Sequence, residues 1–172
     1  MSEINIKDSG DNIMFTSQKH SGNKNEQNNI LVKQLKALIK DEDNMIANLS
    51  NASALLNQFI DRINWVGFYL YDGEELVLGP FQGLPACVRI PLGRGVCGTA
   101  AEQRKTIIVP DVNEFPGHIV CDARSQSEIV IPIIKNGQLI GVLDVDSPEK
   151  KRFDETDAKI LEEFVRVLAE KL

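Results

Sequence analysis

The chain is predicted to fold as an α+β domain, a central antiparallel sheet flanked by N- and C-terminal helices. Three observations predict it. Apolar residues recur at helical spacing near both ends of the chain. The middle alternates apolar and polar residues in short, β-branched runs. Those runs are punctuated by Asp-Gly and Asn-Gly pairs, which favour the tight turns of hairpins.

The elements follow in order. Residues 1 to 27 are polar and without period, which reads as a disordered leader or an appended extension ahead of a domain spanning 28 to 172. From Asn28, Leu31, Leu35, Leu38 and Ile39 share one helix face, ending near Lys40. Asp41 is the expected N-cap of a second helix carrying Met45, Leu49, Ala52, Leu56 and Ile60. Trp65 to Tyr71 switches to strand, Asp72-Gly73 turns, and Leu76 to Leu78 returns. Val88 to Leu92 is a further short strand, and glycines 93, 95 and 98 lead into a short helix near Thr99 to Gln103. Thr106 to Val109 is strand and Pro110 to Gln126 a long loop. Ile129 to Ile134 and Leu139 to Val145, joined by Asn136-Gly137, form the clearest hairpin. Asp154 caps a last helix that buries Ile160, Phe164, Val167 and Leu168.

Composition narrows the function. With 172 residues there is room for one well-filled core. A net charge of −6 without any Lys or Arg run argues against a nucleic-acid partner or an anionic membrane surface, both of which need clustered positive charge. No stretch reaches the roughly twenty apolar residues of a membrane helix, and residues 1 to 27 hold no apolar signal core. The expected compartment is the cytoplasm, where the three cysteines, Cys87, Cys97 and Cys121, point to buried thiols, metal ligands or redox chemistry rather than a static disulfide frame.

Three features carry chemistry. On the first strand, Val66, Phe68 and Leu70 face the core, while Trp65, Gly67, Tyr69 and Tyr71 face the other way. A glycine between an indole and a phenol predicts a hollow walled by aromatics, suited to a methyl, sulfur or cationic group, or else a second core face. In Ile140 to Asp146, Ile140, Val142, Asp144 and Asp146 share a face, and Glu128 enters the neighbouring strand. Carboxyls gathered at an apolar strand end raise one another's pKa and either receive a cationic group or donate a proton; a solvated strand end or a Ca²⁺-type oxygen cluster is the alternative. Finally, Cys121 lies in the long loop three residues after His118, and Cys97 lies near a helix start that favours its thiolate. A zinc site of Cys87, Cys97, Cys121 and His118 lacks any C-x-x-C pair to seed it.

Taken together, Trp65-Val-Gly-Phe-Tyr69, Leu78-Gly-Pro-Phe-Gln-Gly83, Pro85-Ala-Cys87, Gly93-Arg-Gly-Val-Cys-Gly-Thr99, Cys121-Asp-Ala123, Ser127-Glu-Ile129 and Gly141-Val-Leu-Asp-Val-Asp146 resemble the free methionine-(R)-sulfoxide reductases, which are stand-alone GAF-domain enzymes. The resemblance runs from about Asn28 to the C-terminus. It implies a GAF fold and reduction of free methionine sulfoxide, with Cys121 as the nucleophile that becomes a sulfenic acid. It further implies that Cys97 condenses with Cys121, that Cys87 takes part in further exchange, and that thioredoxin restores the thiols. Trp65 and Tyr69 would hold the methyl and sulfoxide end, while Glu128, Asp144 and Asp146 would bind the amino group or protonate the sulfoxide oxygen. No metal, flavin or other cofactor is expected, and both a monomer and a homodimer fit. The competing expectation is a GAF module that binds a small molecule or reports redox state without turnover.

Overall fold

The computed structural model describes residues 24–119 and 122–172, with residues 24–28 given by their helical backbone alone. The first helix, α1 (Lys24–Ile39), starts four residues earlier than its apolar period suggests and absorbs part of the predicted leader. Helix α2 spans Met45–Phe59. Its N-cap is Asn44, not Asp41: the Asn44 side chain accepts from the Ala47 N–H at 3.0 Å. Glu42 accepts the Asn44 N–H in turn, so the chain makes one more turn before the helix begins.

Among the described residues six strands then follow: β1 (Trp65–Tyr71), β2 (Glu75–Gln82), β3 (Arg89–Pro91), β4 (Ile107–Val109), β5 (Ser127–Lys135) and β6 (Gln138–Ser147). They form one sheet in the order β3-β2-β1-β6-β5-β4, and every neighbouring pair is antiparallel. The β5–β6 turn has Asn136 and Gly137 at φ of 52° and 76°, the paired left-handed conformation that matches strand twist. Helix α3 (Gly95–Gln103) crosses between β3 and β4, and α4 (Glu155–Ala169) closes the chain. Asp154 and Asp157 cap α4 reciprocally, each side chain accepting from the other's backbone N–H.

Alternation along the strands sorts the core into two layers. On one face Val66, Phe68, Ile129, Ile131, Leu143 and Val145 pack against Leu31 and Leu35 of α1, Leu49 and Leu56 of α2, and Leu161, Phe164 and Leu168 of α4. The opposite face carries Tyr69, Val130 and Val142 beneath Val96, Ala100 and Ala101 of α3. Ile140 departs from its predicted side. The pairing shifts between Ile133 and Ile134, so Leu139 joins the α3 layer and Ile140 packs with the helical one. Among the described residues, no helix is long and apolar enough to cross a membrane.

Helix α3 begins at Gly95 rather than near Thr99, because Gly98 lets it settle directly on β3. A Cβ at position 98 would lie 2.3 Å from the Pro91 carbonyl oxygen. That close seat carries Cys97 into the layer under the sheet.

Candidate active site

The sheet register assembles the acids. Glu128 pairs with Asp146 across β5 and β6, and Asp146 pairs with Trp65 across β6 and β1, so these three form one row. The next row holds Val130, Asp144 and Gly67. Directly paired residues share a face, so all three carboxyls point to the α3 side, as the alternation predicts. Glu128 is 5% exposed and Asp144 6%.

Helix α3 brings Cys97 against them. Its Sγ lies 3.9 Å from Glu128 Oε1, and potential donor atoms of Cys97, Glu128 and Asp144 all lie within 4.8 Å of one another. The expected thiolate at Cys97 is overturned. Burial, followed by the nearby Asp144, Glu128 and Asp146 carboxyls, pushes its pKa well above the ordinary thiol range. The partial charge of a helix end is screened and short-ranged. Loss of water around a buried sulfur among carboxyls outweighs it.

Burial also raises the three carboxyls well above the usual range. For Glu128 the Asp146 charge adds to burial, for Asp144 the Glu128 charge, and for Asp146 the Asp144 charge. Asp144 Oδ1 is buried without any hydrogen-bond partner. Asp122 shows the opposite environment. The Arg124 guanidinium binds its carboxylate, with Nη2 2.8 Å from Oδ2, and holds its pKa down at about 2. One ionised carboxylate therefore stands beside three that favour the neutral form.

His118 Nε2 lies 3.7 Å from Glu128 Oε2. Burial lowers the imidazole pKa and raises that of Glu128, so loss of water works against a charged pair at this contact. The same preference for protons works against a cation held by Cys97, Glu128 and Asp144, since metal ligands must give up their protons. Cys87 is disulfide-bonded and so is not a thiolate ligand.

A cavity of about 30 Å³ adjoins this cluster, lined by Tyr69, Arg94, Cys97, His118, Ile119, Asp122, Ser125 and the three carboxyls. It has room for about one water molecule. Position 121 lies outside the described residues; Ile119 and Asp122, on either side of it in sequence, both line the cavity.

Trp65 behaves differently from its prediction. It does not line the cavity; it is 2% exposed and its Nε1 donates to the Leu84 carbonyl at 3.1 Å. Its ring stacks on Phe81, with centroids 5.3 Å apart, and on Tyr69 at 5.9 Å. Nor does Gly67 open a hollow. A Cβ there would come within 2.3 Å of Phe81 Cβ and 2.7 Å of the Trp65 ring, so the glycine is needed for those rings to pack. Of the aromatic pair, Tyr69 reaches the cavity, and its hydroxyl donates to the Cys87 carbonyl at 3.0 Å.

Reading the sequence missed Asn64, Asp122, Ser125 and Arg94 as site residues. The Asn64 side-chain amide donates to Asp122 Oδ2 and to Ser125 Oγ, each at 3.0 Å, fixing the loop ahead of β5. Asp122 and Ser125 lie in the long loop, while Asn64 and Arg94 sit in the connections just before β1 and α3; isolated polar residues outside the regular elements carry no periodic signal.

Comparison with known proteins is consistent with this geometry. Residues 47–172 match the GAF domain family. The free methionine-R-sulfoxide reductase of Escherichia coli is 49% identical over 85% of this chain and 88% of its own. The chain belongs to this GAF-domain reductase family. Solved structures of free methionine-R-sulfoxide reductases superpose closely. The Neisseria meningitidis protein, in complex with its substrate, gives a TM-score of 0.87 at 43% identity, over 92% of this chain and 95% of that one. The Staphylococcus aureus fRMsr, in complex with substrate, gives 0.81 at 54% identity, over 89% and 97%. Free methionine-R-sulfoxide reductases are oxidoreductases, which places the buried acids and thiols of this chain in a redox setting.

Proposed function

We propose that this chain reduces free L-methionine-(R)-sulfoxide to methionine by a cysteine mechanism, with Cys121 as the nucleophile. A neutral sulfoxide is a poor electrophile, and protonating its oxygen is what lets a thiolate attack the sulfur. Glu128, Asp144 and Asp146 supply that proton: burial and mutual repulsion keep protons on them at a pH where ordinary carboxyls are ionised. The orphaned Oδ1 of Asp144 is the group best suited to meet a polar atom of the substrate. Tyr69 forms the apolar wall, and Trp65 supports it from behind through stacking.

The oxygen passes to the Cys121 sulfur as a sulfenic acid while methionine leaves. A second thiol then condenses with it, releasing water and leaving a disulfide. Cys87 suits this second step better than the expected Cys97, since Cys87 is disulfide-bonded while Cys97 is a buried free thiol with a raised pKa. Cys97 instead holds Glu128 in place. Thioredoxin returns both sulfurs to thiols with two electrons.

The single observation that carries this reading is the cluster of three buried carboxyls lining a cavity that residues on both sides of Cys121 in sequence also line. The test is oxidation of NADPH coupled through thioredoxin reductase and thioredoxin, on separated R and S epimers. Turnover with the R epimer and none in a Cys121→Ser protein is expected; equal turnover of both epimers, or full activity without Cys121, contradicts the proposal.

A further inference from the structure

The chain has seven arginines, and six of them hold a hydrogen bond through the guanidinium. Arg62 binds Glu149, Arg89 binds Glu75, Arg104 the Gly137 carbonyl, Arg124 Asp122, Arg152 Asp61 and Arg166 Glu170. Arg94 is the seventh. Among the described residues its side chain has no hydrogen bond and no ion pair, although it lines the cavity together with the three buried carboxyls. It is also exposed, so a ligand arriving from solvent can reach it. An unpartnered guanidinium on a cavity wall suits a carboxylate, which it can hold through two parallel N–H donors.

The backbone next to Arg94 has the same polarity. Arg94 is the N-cap of α3, no side chain caps that helix start, and its first turn holds no acidic residue. Gly95, Val96 and Cys97, the first three residues of α3, line the cavity as well. Free N–H groups at a helix start carry partial positive charge and favour an anion. A separate sign that this cavity takes a polar ligand is Asp144, which is 6% exposed, lines it, and keeps Oδ1 without a hydrogen-bond partner. Other cations near the cavity are less available. Arg124 is committed to Asp122 at 2.8 Å, and burial disfavours the charged form of His118.

Resting on the reductase reading above, we propose that Arg94, together with the start of α3, binds the α-carboxylate of the substrate and so selects the free amino acid over a methionine sulfoxide within a polypeptide. Inside a polypeptide that carboxylate is replaced by a neutral amide, and the guanidinium is left without its anion. The buried acids are compatible with such a seat, because carboxyls that keep their protons do not repel an incoming anion. Arg94 is a specificity residue: it moves neither the proton nor the oxygen, and its loss acts on KM rather than on kcat.

The test compares two substrates on the full chain with dithiothreitol as reductant. One is free L-methionine-(R)-sulfoxide; the other is its carboxamide, which keeps the ammonium and the sulfoxide but not the anion. In the unaltered chain kcat/KM is expected to favour the free acid at least about tenfold, and in Arg94→Gln that ratio should fall at least about tenfold through the KM of the free acid. Arg94→Lys keeps the charge without the planar fork and should give a ratio between the two. An unaltered chain without preference, an Arg94→Gln protein with the full ratio, or an Arg94→Lys protein no better than Arg94→Gln overturns the proposal. Should the unaltered chain release no methionine from either compound, the reductase reading fails, and calorimetric titration of the reduced proteins with the free R-sulfoxide decides the carboxylate seat by itself. Binding at least about tenfold weaker in Arg94→Gln supports it; equal affinity overturns it.

Discussion

Glu128 and Asp146 face each other directly across β5 and β6, on the face of the sheet that α3 covers. Opposed carboxyls in a buried cross-strand pair cannot both ionise cheaply. This pairing, with Asp144 one row away, keeps protons available beside the cavity and makes the folded state sensitive to pH.

The sensitivity has a definite sign. The three carboxyls have folded-state pKa values raised above the unfolded value of about 4. Their stabilising contribution is therefore complete below about pH 4 and is lost as pH rises through the raised values. An Asp144→Asn protein lacks one of them, so its melting temperature should fall less between pH 5 and pH 8.5. A relative gain of at least about 3 °C at the higher pH is expected, together with a loss of turnover of about 100-fold or more. Parallel melting curves for the two proteins would remove the proton-holding role of Asp144.

The packing of Trp65 on Phe81 depends on Gly67. Adding a single methyl in Gly67→Ala, 2.3 Å from Phe81 Cβ and 2.8 Å from its Cα, forces β1 and β2 apart. The expected cost is about 1–3 kcal/mol, read as a lower denaturant midpoint. An unchanged midpoint contradicts the packing described.

Cys97 should be inert while the protein is folded. With a raised pKa and 4% exposure, its thiolate fraction at pH 7.5 is far below that of a free thiol. Iodoacetamide labelling of the fully reduced protein, followed by peptide mapping, should modify Cys97 at least about 100-fold more slowly than after unfolding. Comparable rates in both states would mean that the helix start, not burial, governs this sulfur.

The cavity in this disulfide-containing state holds about 30 Å³, far below the roughly 300 Å³ and more of ordinary ligand clefts. Free methionine sulfoxide should therefore bind the reduced protein at least about tenfold more tightly than the oxidised one. Calorimetric titration of both forms measures this, and equal affinities contradict it.

How much was legible beforehand varies with the kind of signal. The β5–β6 hairpin was plain, because Asn136-Gly137 and the alternation on either side name both the turn and the face. The convergence of Glu128, Asp144 and Asp146 followed from that same alternation. Ile140 escaped because one shifted residue near Ile133 reverses the pattern, and a bulge leaves no mark in apolar periodicity. Asp41 and Asn44 are both good capping residues, and only the preceding turn selects between them. The aromatic wall was misjudged in a similar way: sequence shows that Gly67 leaves space, but not that Phe81, fourteen residues later, fills it. Burial of Cys97 depends on Gly98 seating α3 against Pro91, a contact between distant elements that no local pattern records.

The most direct measurement is methionine release by the pre-reduced chain in a single turnover, with no reductant present. One methionine per chain from the free R-sulfoxide, with none from the S epimer and none after Cys121→Ser, is the predicted result. Saturable binding of the R-sulfoxide with no methionine formed would contradict the account and leave a ligand-sensing module in its place.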